Sequence, residues 1–195
     1  MKLVILIGDS IRMAYQPVVA QELEGTAHVW APEENCRHSA CIREHLQPWA
    51  LDRAPDLVHL NAGLHDIARP RKADGEIGPP AIPADGYAEN LRNCLSTIQK
   101  AGIRPILALS TPVNEKRHAR RGEGLPDRFE ADVENYNAIA RAIARELNVP
   151  INDLYRVVMD HDRDALLSED GVHFTKEGNA LLGQAVAGMI RAALE

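Results

Sequence analysis

The alternation of short apolar runs with longer amphipathic stretches restricts this chain to one class of fold. Strands are expected over residues 3–7, 27–30, 56–60, 103–109 and 149–151. The first, Leu3-Val4-Ile5-Leu6-Ile7, is apolar at every position, as a strand covered on both faces must be. Residues 14–23 read as a short helix. Ile42, Leu46, Trp49 and Ala50 then fall at helical spacing behind Ser39, a candidate N-cap. Tyr87, Leu91, Cys94, Leu95 and Ile98 share one helical face behind Asp85, and Gly102 ends that helix. Phe129, Val133, Tyr136, Ala140, Ile143 and Leu147 mark a long amphipathic helix. Residues 176–194 form the closing helix, with Thr175 as its cap. This βαβα rhythm predicts an α/β fold, a three-layer α/β/α sandwich with a five-stranded parallel sheet in a flavodoxin-like order.

Composition narrows the role. The 195 residues suffice for a sizeable core, and neither a linker nor a repeat divides them, so one domain over 1–195 is expected. Hydrophobic residues at 45% and charged residues at 26% are ordinary for a soluble globular chain. A net charge of -6 argues against binding nucleic acid through bulk charge. No apolar run approaches the roughly 20 residues that span a membrane. The N-terminal run is short, lacks a small-residue cleavage site and leads straight into Gly8-Asp9-Ser10, unlike a signal peptide. Cys36, Cys41 and Cys94 are odd in number and have no metal-ligand spacing, which suggests reduced, structural thiols in the cytoplasm.

The chemistry concentrates at the two ends of the chain. The first strand stops at Gly8-Asp9-Ser10. A serine hydroxyl attacks a carbonyl only if an imidazole removes its proton and a carboxylate orients that imidazole. Near the other end, Ser168-Glu169-Asp170-Gly171-Val172-His173 puts Asp170 and His173 three residues apart, with Gly171 allowing a tight bend between them. Ser10 alone reads as a helix cap, and Asp170 with His173 alone as a surface turn. Taken together at a sheet edge they point to catalysis. Two long loops, 69–83 and 111–126, follow strands on the edge where open α/β sheets bind ligands.

These blocks resemble the SGNH (GDSL-type) hydrolases, whose first block is Gly-Asp-Ser and whose last is Asp-x-x-His. Further contexts match in order, among them Tyr87-Ala88-Glu89-Asn90-Leu91, Ser110-Thr111-Pro112-Val113 and Ile151-Asn152-Asp153-Leu154-Tyr155. The resemblance implies an α/β/α sandwich and cleavage of esters, acetyl groups or thioesters without cofactor or metal. It implies Ser10 as nucleophile, His173 as base and Asp170 as its orienting carboxylate. Two blocks depart from the pattern. The third, usually Gly-x-Asn-Asp, is here Gly63-Leu64-His65-Asp66, the form of a Gly-Leu-His-Asp branch. The second normally supplies a glycine amide, and the matching position is Arg37. The implied oxyanion hole is therefore the Ser10 amide, the Arg37 amide and the His65 side chain, whose imidazole still has an N–H to donate.

Several residues keep two readings. Arg12 and Tyr15 are candidate substrate-binding residues, or they lie on a helix surface. His65 is an oxyanion donor or a polar loop residue, and Asn61 is an alternative donor. Asp9 and Asp66 are expected to brace their turns. The basic run Lys116-Arg117-His118-Ala119-Arg120-Arg121 is a solvated charge cluster or a reader of an anionic leaving group. Asp160-His161-Asp162 is read as a surface loop, since three consecutive residues rarely converge on one ion. The expected partner is a small-molecule ester. A homo-oligomer is left open, with an exposed Trp49 or the Pro-rich loop at its interface. An acyltransferase using the same triad and a ligand-binding relative without turnover remain the alternatives. A flavodoxin-like cofactor binder is disfavoured by the lack of a Gly-rich phosphate fingerprint after the first strand.

Overall fold

The computed structural model describes residues 1–72, 74–119 and 125–195. Its elements are β1 (Lys2–Ile7), α1 (Ser10–Glu22), β2 (Ala27–Trp30), α2 (Ser39–Trp49), β3 (Leu57–Asn61), α3 (Ala84–Lys100), β4 (Arg104–Ala108), α4 (Glu115–His118), α5 (Glu130–Leu147), β5 (Ile151–Asn152), α6 (Leu154–Met159), α7 (Arg163–Leu166) and α8 (Lys176–Leu194). The five strands form one sheet in the order β2-β1-β3-β4-β5, and every pairing is parallel. Parallel neighbours need a crossover, and helices supply it. One face carries α1 against α8, with α6 beside them, and α2, α3 and α5 pack in a row on the other. Val4, Ile5, Leu6 and Ile7 are fully buried, as are Leu57, Val58 and Leu60 beside them. Covering a strand on both faces is what removes the polar–apolar alternation from its sequence. Among the described residues, no helix is long and apolar enough to cross a membrane.

The strands β3, β4 and β5 differ from expectation by a residue or two at their ends, α3 starts at Ala84 ahead of Asp85, and three helix starts are set by side-chain caps that hydrophobic spacing does not show. Helix α1 begins at Ser10 and not at 14, because the Asp9 carboxylate accepts from the Ile11 amide at 3.0 Å. Helix α2 is capped by His38, whose Nδ1 accepts from the Cys41 amide at 3.1 Å, while Ser39 becomes its first residue. The 111–126 stretch contains α4, capped by Asn114. Thr175 caps α8 as expected, accepting from the Gly178 amide. Trp49 is not exposed. It is 7% accessible, its indole N–H donates to Glu34 at 2.7 Å and its ring stacks on His45, so it offers no interface. Cys36 and Cys94 are buried, Cys41 is half-buried, and all three are free thiols.

A buried histidine gives the fold a pH dependence. His59, in β3, is fully buried, and its Nε2 accepts from Asn152 Nδ2 of β5 at 3.1 Å. Burial pushes its pKa down from 6.5 to about 4. The unfolded chain binds this proton at a higher pH than the folded chain does. The part of the stability that depends on a neutral His59 is therefore complete above about pH 6.5 and falls as pH drops toward 4. The shift corresponds to a loss on the order of 3 kcal/mol. In urea unfolding followed from pH 7 down to pH 4, His59→Gln is expected to lose less stability than the wild type over this range; an identical pH dependence in the two proteins refutes the assignment.

Candidate active site

The Gly8-Asp9-Ser10 turn lies where β1 leaves the sheet and α1 begins. Glycine is required at position 8 by close approach: a Cβ there would lie 2.7 Å from Cβ of Arg12, which folds back over the turn. Asp9 caps the helix, so the Ser10 side chain projects from its first turn. The Ser10 amide, in that first turn, has no helical carbonyl to receive it. The Ser10 hydroxyl donates to Nε2 of His173 at 2.8 Å, and Nδ1 of the same ring donates to Asp170 Oδ2 at 2.5 Å. An ionised carboxylate can only accept, so Nδ1 carries the proton and Nε2 is left with the lone pair that faces Ser10.

Asp170 has little freedom to do otherwise. Its Oδ1 accepts from the Ser168 hydroxyl at 2.9 Å and from the amides of Val172 and His173 at 2.9 and 2.8 Å. Burial acts to raise its pKa, but the hydrogen bond from His173 and those from these amides and Ser168 outweigh it. The carboxyl is held well below the usual range. The loop itself closes through Ser168 N–H to His173 O at 2.8 Å and a bridge between Leu167 and Phe174. Gly171 adopts φ +73°, and a Cβ on it would lie 2.4 Å from the Asn114 carbonyl. The α4 segment presses close at this point. The Asn114 amide donates to Gly171 O at 2.7 Å, Arg117 Nη1 to Leu167 O at 3.2 Å, and the His118 ring lies 3.2 Å from Asp170 O.

Ser10 and His173 open onto a cavity of about 320 Å³. Leu64, Val172 and Pro126 form its apolar wall; Asp9, Asn35, His65 and Arg128 add polar groups. Burial lowers the pKa of the His65 imidazole; nearby Asp9 opposes this and Arg128 reinforces it, so the ring is held below the usual histidine value. It therefore lines the cavity as a neutral ring with one N–H. Asp66, next in sequence, is buried and accepts from both the amide and the hydroxyl of Ser39. Asn90 completes the network by donating to Ser39 Oγ at 3.0 Å. Asp66 thus fastens the loop after β3 to the first turn of α2. Burial pushes its pKa up to about 7 against the pull of these hydrogen bonds.

Several sequence expectations are corrected here. Arg12 and Tyr15 do not line the cavity. Arg12 is 1% accessible, and its guanidinium donates to Pro32 O at 3.0 Å, Glu34 O at 2.8 Å and Gly8 O at 3.3 Å. Tyr15 is equally buried in the core, and burial, with Asp9 nearby, raises its pKa. Neither touches a bound substrate from such a position. The Arg37 amide is not presented to the cavity either. It donates to Asn35 Oδ1 at 2.8 Å, although Arg37 does adopt a left-handed φ of +57°, a conformation that favours glycine. Asn61 donates to the carbonyls of Ala108 and Leu109, which removes it as a donor to the site. In the basic run, Arg117 and the buried His118 clamp the Asp170 loop instead of facing solvent; Arg120 and Arg121 lie outside the described residues. His161 is bonded to Val157 O, Asp160 pairs with Arg156 and Asp162 caps α7. Asn35, Leu64, Pro126 and Val172 were not singled out from the sequence. A polar residue two positions before the glycine-like Arg37 was the one available signal for Asn35.

The geometry can be set beside known proteins. The model of the GDSL-like lipase/acylhydrolase family matches residues 7–181. A GDSL esterase/lipase of Arabidopsis thaliana is 23% identical over 171 residues, spanning 82% of this chain and 69% of the plant protein. A lipase/acylhydrolase from Enterococcus faecalis superposes with a TM-score of 0.82 at 20% identity, covering 100% of this chain and 98% of its own. The acetylxylan esterase Axe2 from Geobacillus stearothermophilus does so with a TM-score of 0.76 at 18% identity, covering 97% and 94%. The two superpositions establish a shared fold, and the family match extends from the end of β1 through the Asp170–His173 loop into α8. This chain belongs to the GDSL-like lipase/acylhydrolase family, the SGNH hydrolases, and is an enzyme of the esterase/acylhydrolase class.

Proposed function

We propose that the chain hydrolyses esters of small acyl groups, acetyl foremost, through an acyl-enzyme on Ser10. The observation that carries this reading is the unbroken relay from Ser10 through His173 to Asp170, at 2.8 and 2.5 Å. His173 Nε2 takes the hydroxyl proton as Ser10 Oγ bonds to the acyl carbon. The tetrahedral adduct collapses when His173 returns that proton to the leaving alcohol. Water then loses a proton to Nε2 as it bonds to the acyl carbon, and return of that proton to Ser10 Oγ breaks the acyl–Oγ bond and releases the acid and free Ser10. Asp170 keeps the ring oriented and stabilises its charged form. His65, which stands in the third block as in the Gly-Leu-His-Asp branch, donates to the oxyanion from the side of the cavity. A small acyl group is favoured by the size of the cavity, about 320 Å³, and by the acetyl xylan esterases among the proteins of similar fold.

Ser10→Ala is expected to abolish ester cleavage and labelling by a fluorophosphonate while leaving the melting temperature unchanged. Among the described residues, the Ser10 side chain bonds to His173 alone. An active Ser10→Ala protein sinks the mechanism. Asp170→Asn keeps an oxygen for the Val172 and His173 amides but presents the wrong group to Nδ1, so kcat should fall by about 10³–10⁴ with the fold retained. A kcat near wild type would remove Asp170 from the relay. His65→Ala is expected to lower kcat by about 10²–10³, and an unchanged rate would show that its N–H does not reach the oxyanion. Across p-nitrophenyl esters, kcat/KM is expected to be highest for acetyl and to drop steeply by octanoyl; a maximum at octanoyl overturns the small-acyl assignment.

A further inference from the structure

We propose that Asn35 is a further catalytic residue, whose side-chain N–H₂ donates to the oxyanion from the loop after β2. The inference rests on the serine mechanism above and concerns a donor that neither the triad nor the third block contains. Asn35 lines the same cavity as Ser10, His65 and His173. Its carboxamide has a defined orientation. The Arg37 main-chain N–H lies 2.8 Å from it and requires an acceptor, which only the carbonyl end provides. The N–H₂ end is therefore turned away from Arg37, and among the described residues it has no acceptor. The same bond takes up the Arg37 amide, so the loop presents a side-chain donor in place of a main-chain one.

The turn that carries Asn35 is held from several directions. Arg12 donates to the carbonyls of Pro32 and Glu34 on one side and to Gly8 on the other. The Cys36 amide also donates to Gly8 O, at 3.2 Å. Gly8 is two residues before Ser10, so the Asn35 turn and the nucleophile are tied to the same carbonyl. Beyond the turn, Asp66 holds Ser39, and Trp49 holds the Glu34 side chain. A donor fixed in this way needs no rearrangement when negative charge develops beside Ser10, the condition under which such a group stabilises a transition state more than a ground state. It also accounts for the buried Arg12, which acts as a positioning residue for the turn.

Two variants separate donation from turn structure. Asn35→Asp keeps the oxygen that receives the Arg37 amide but removes the N–H₂. Asn35→Ala removes the N–H₂ without adding charge. Each is assayed for kcat and KM on an acetyl ester, for inhibition by phenylboronic acid, for fluorophosphonate labelling and for melting temperature. Both are expected to lose about 10²–10³ in kcat, with KM within about twofold, since the ground-state carbonyl draws little on this donor. Boronate affinity should fall in parallel with kcat, labelling should slow, and Asn35→Asp should melt with the wild type. Wild-type kcat in either variant, or unchanged boronate affinity beside a lowered kcat, overturns the role of Asn35 while Ser10 still takes the label. A wild-type protein that takes no label overturns the serine mechanism and this inference together.

Discussion

Every strand of the sheet runs in the same direction, and the site depends on that one constraint. Parallel pairing sends each crossover back over a face and leaves every strand's carboxyl end on one edge. Ser10 follows β1, Asn35 follows β2 and His65 follows β3. The Asn114–His118 segment follows β4, and the Asp170–His173 loop comes after β5 by way of α6 and α7. None of these residues is near another in sequence except Asp170 and His173. Their convergence results from strand order, which puts β1 and β3 side by side at the centre and lets loops from both flanks reach over them.

Buried charge then holds those loops in place. Arg12 is buried beneath the turn after β2, Asp66 is buried within the loop after β3, and Asp170 is half-buried inside its own loop. Each takes its partners mainly from main-chain groups or hydroxyls, so the charge is met by oriented dipoles. A buried charge is tolerated only when hydrogen bonds replace its hydration, and a loop that supplies them cannot drift without exposing it. The cost of desolvation is thereby converted into rigidity. Asp66 illustrates the balance. Its carboxyl is pushed up to about 7 by burial while Ser39 pulls it back down. Asp170 sits at the opposite extreme, because four hydrogen bonds converge on it.

Some of this was legible in the residues and some was not. The strand over 27–30 and the helix over 176–194 match their observed limits, since apolar spacing and the Thr175 cap are local signals. Sequence alone puts the start of α1 too late, because Asp9 reads there as a turn brace, although a helix cap is the same hydrogen bond seen from the other side. Arg12 and Tyr15 follow Ser10 closely in sequence, and that proximity suggests a pocket. A helix turns successive side chains through about 100°, so adjacency in sequence says nothing of facing, and both point inward. The Lys116–Arg121 run looked solvated by charge alone, yet Arg117 and His118 serve the Asp170 loop.

What the sequence by itself determined was the fold class, the strand count and the three side chains of the relay. The first two follow from local periodicity, and the relay residues from two short blocks whose chemistry is complementary. Tertiary structure alone decided which groups surround them. The engagement of the Arg37 amide, the orientation of Asn35 and the burial of Arg12 all depend on distances between segments that no local pattern encodes. Hydrogen-bond donors are present throughout any chain; which of them is left over to meet a substrate is known only after the others have found their acceptors.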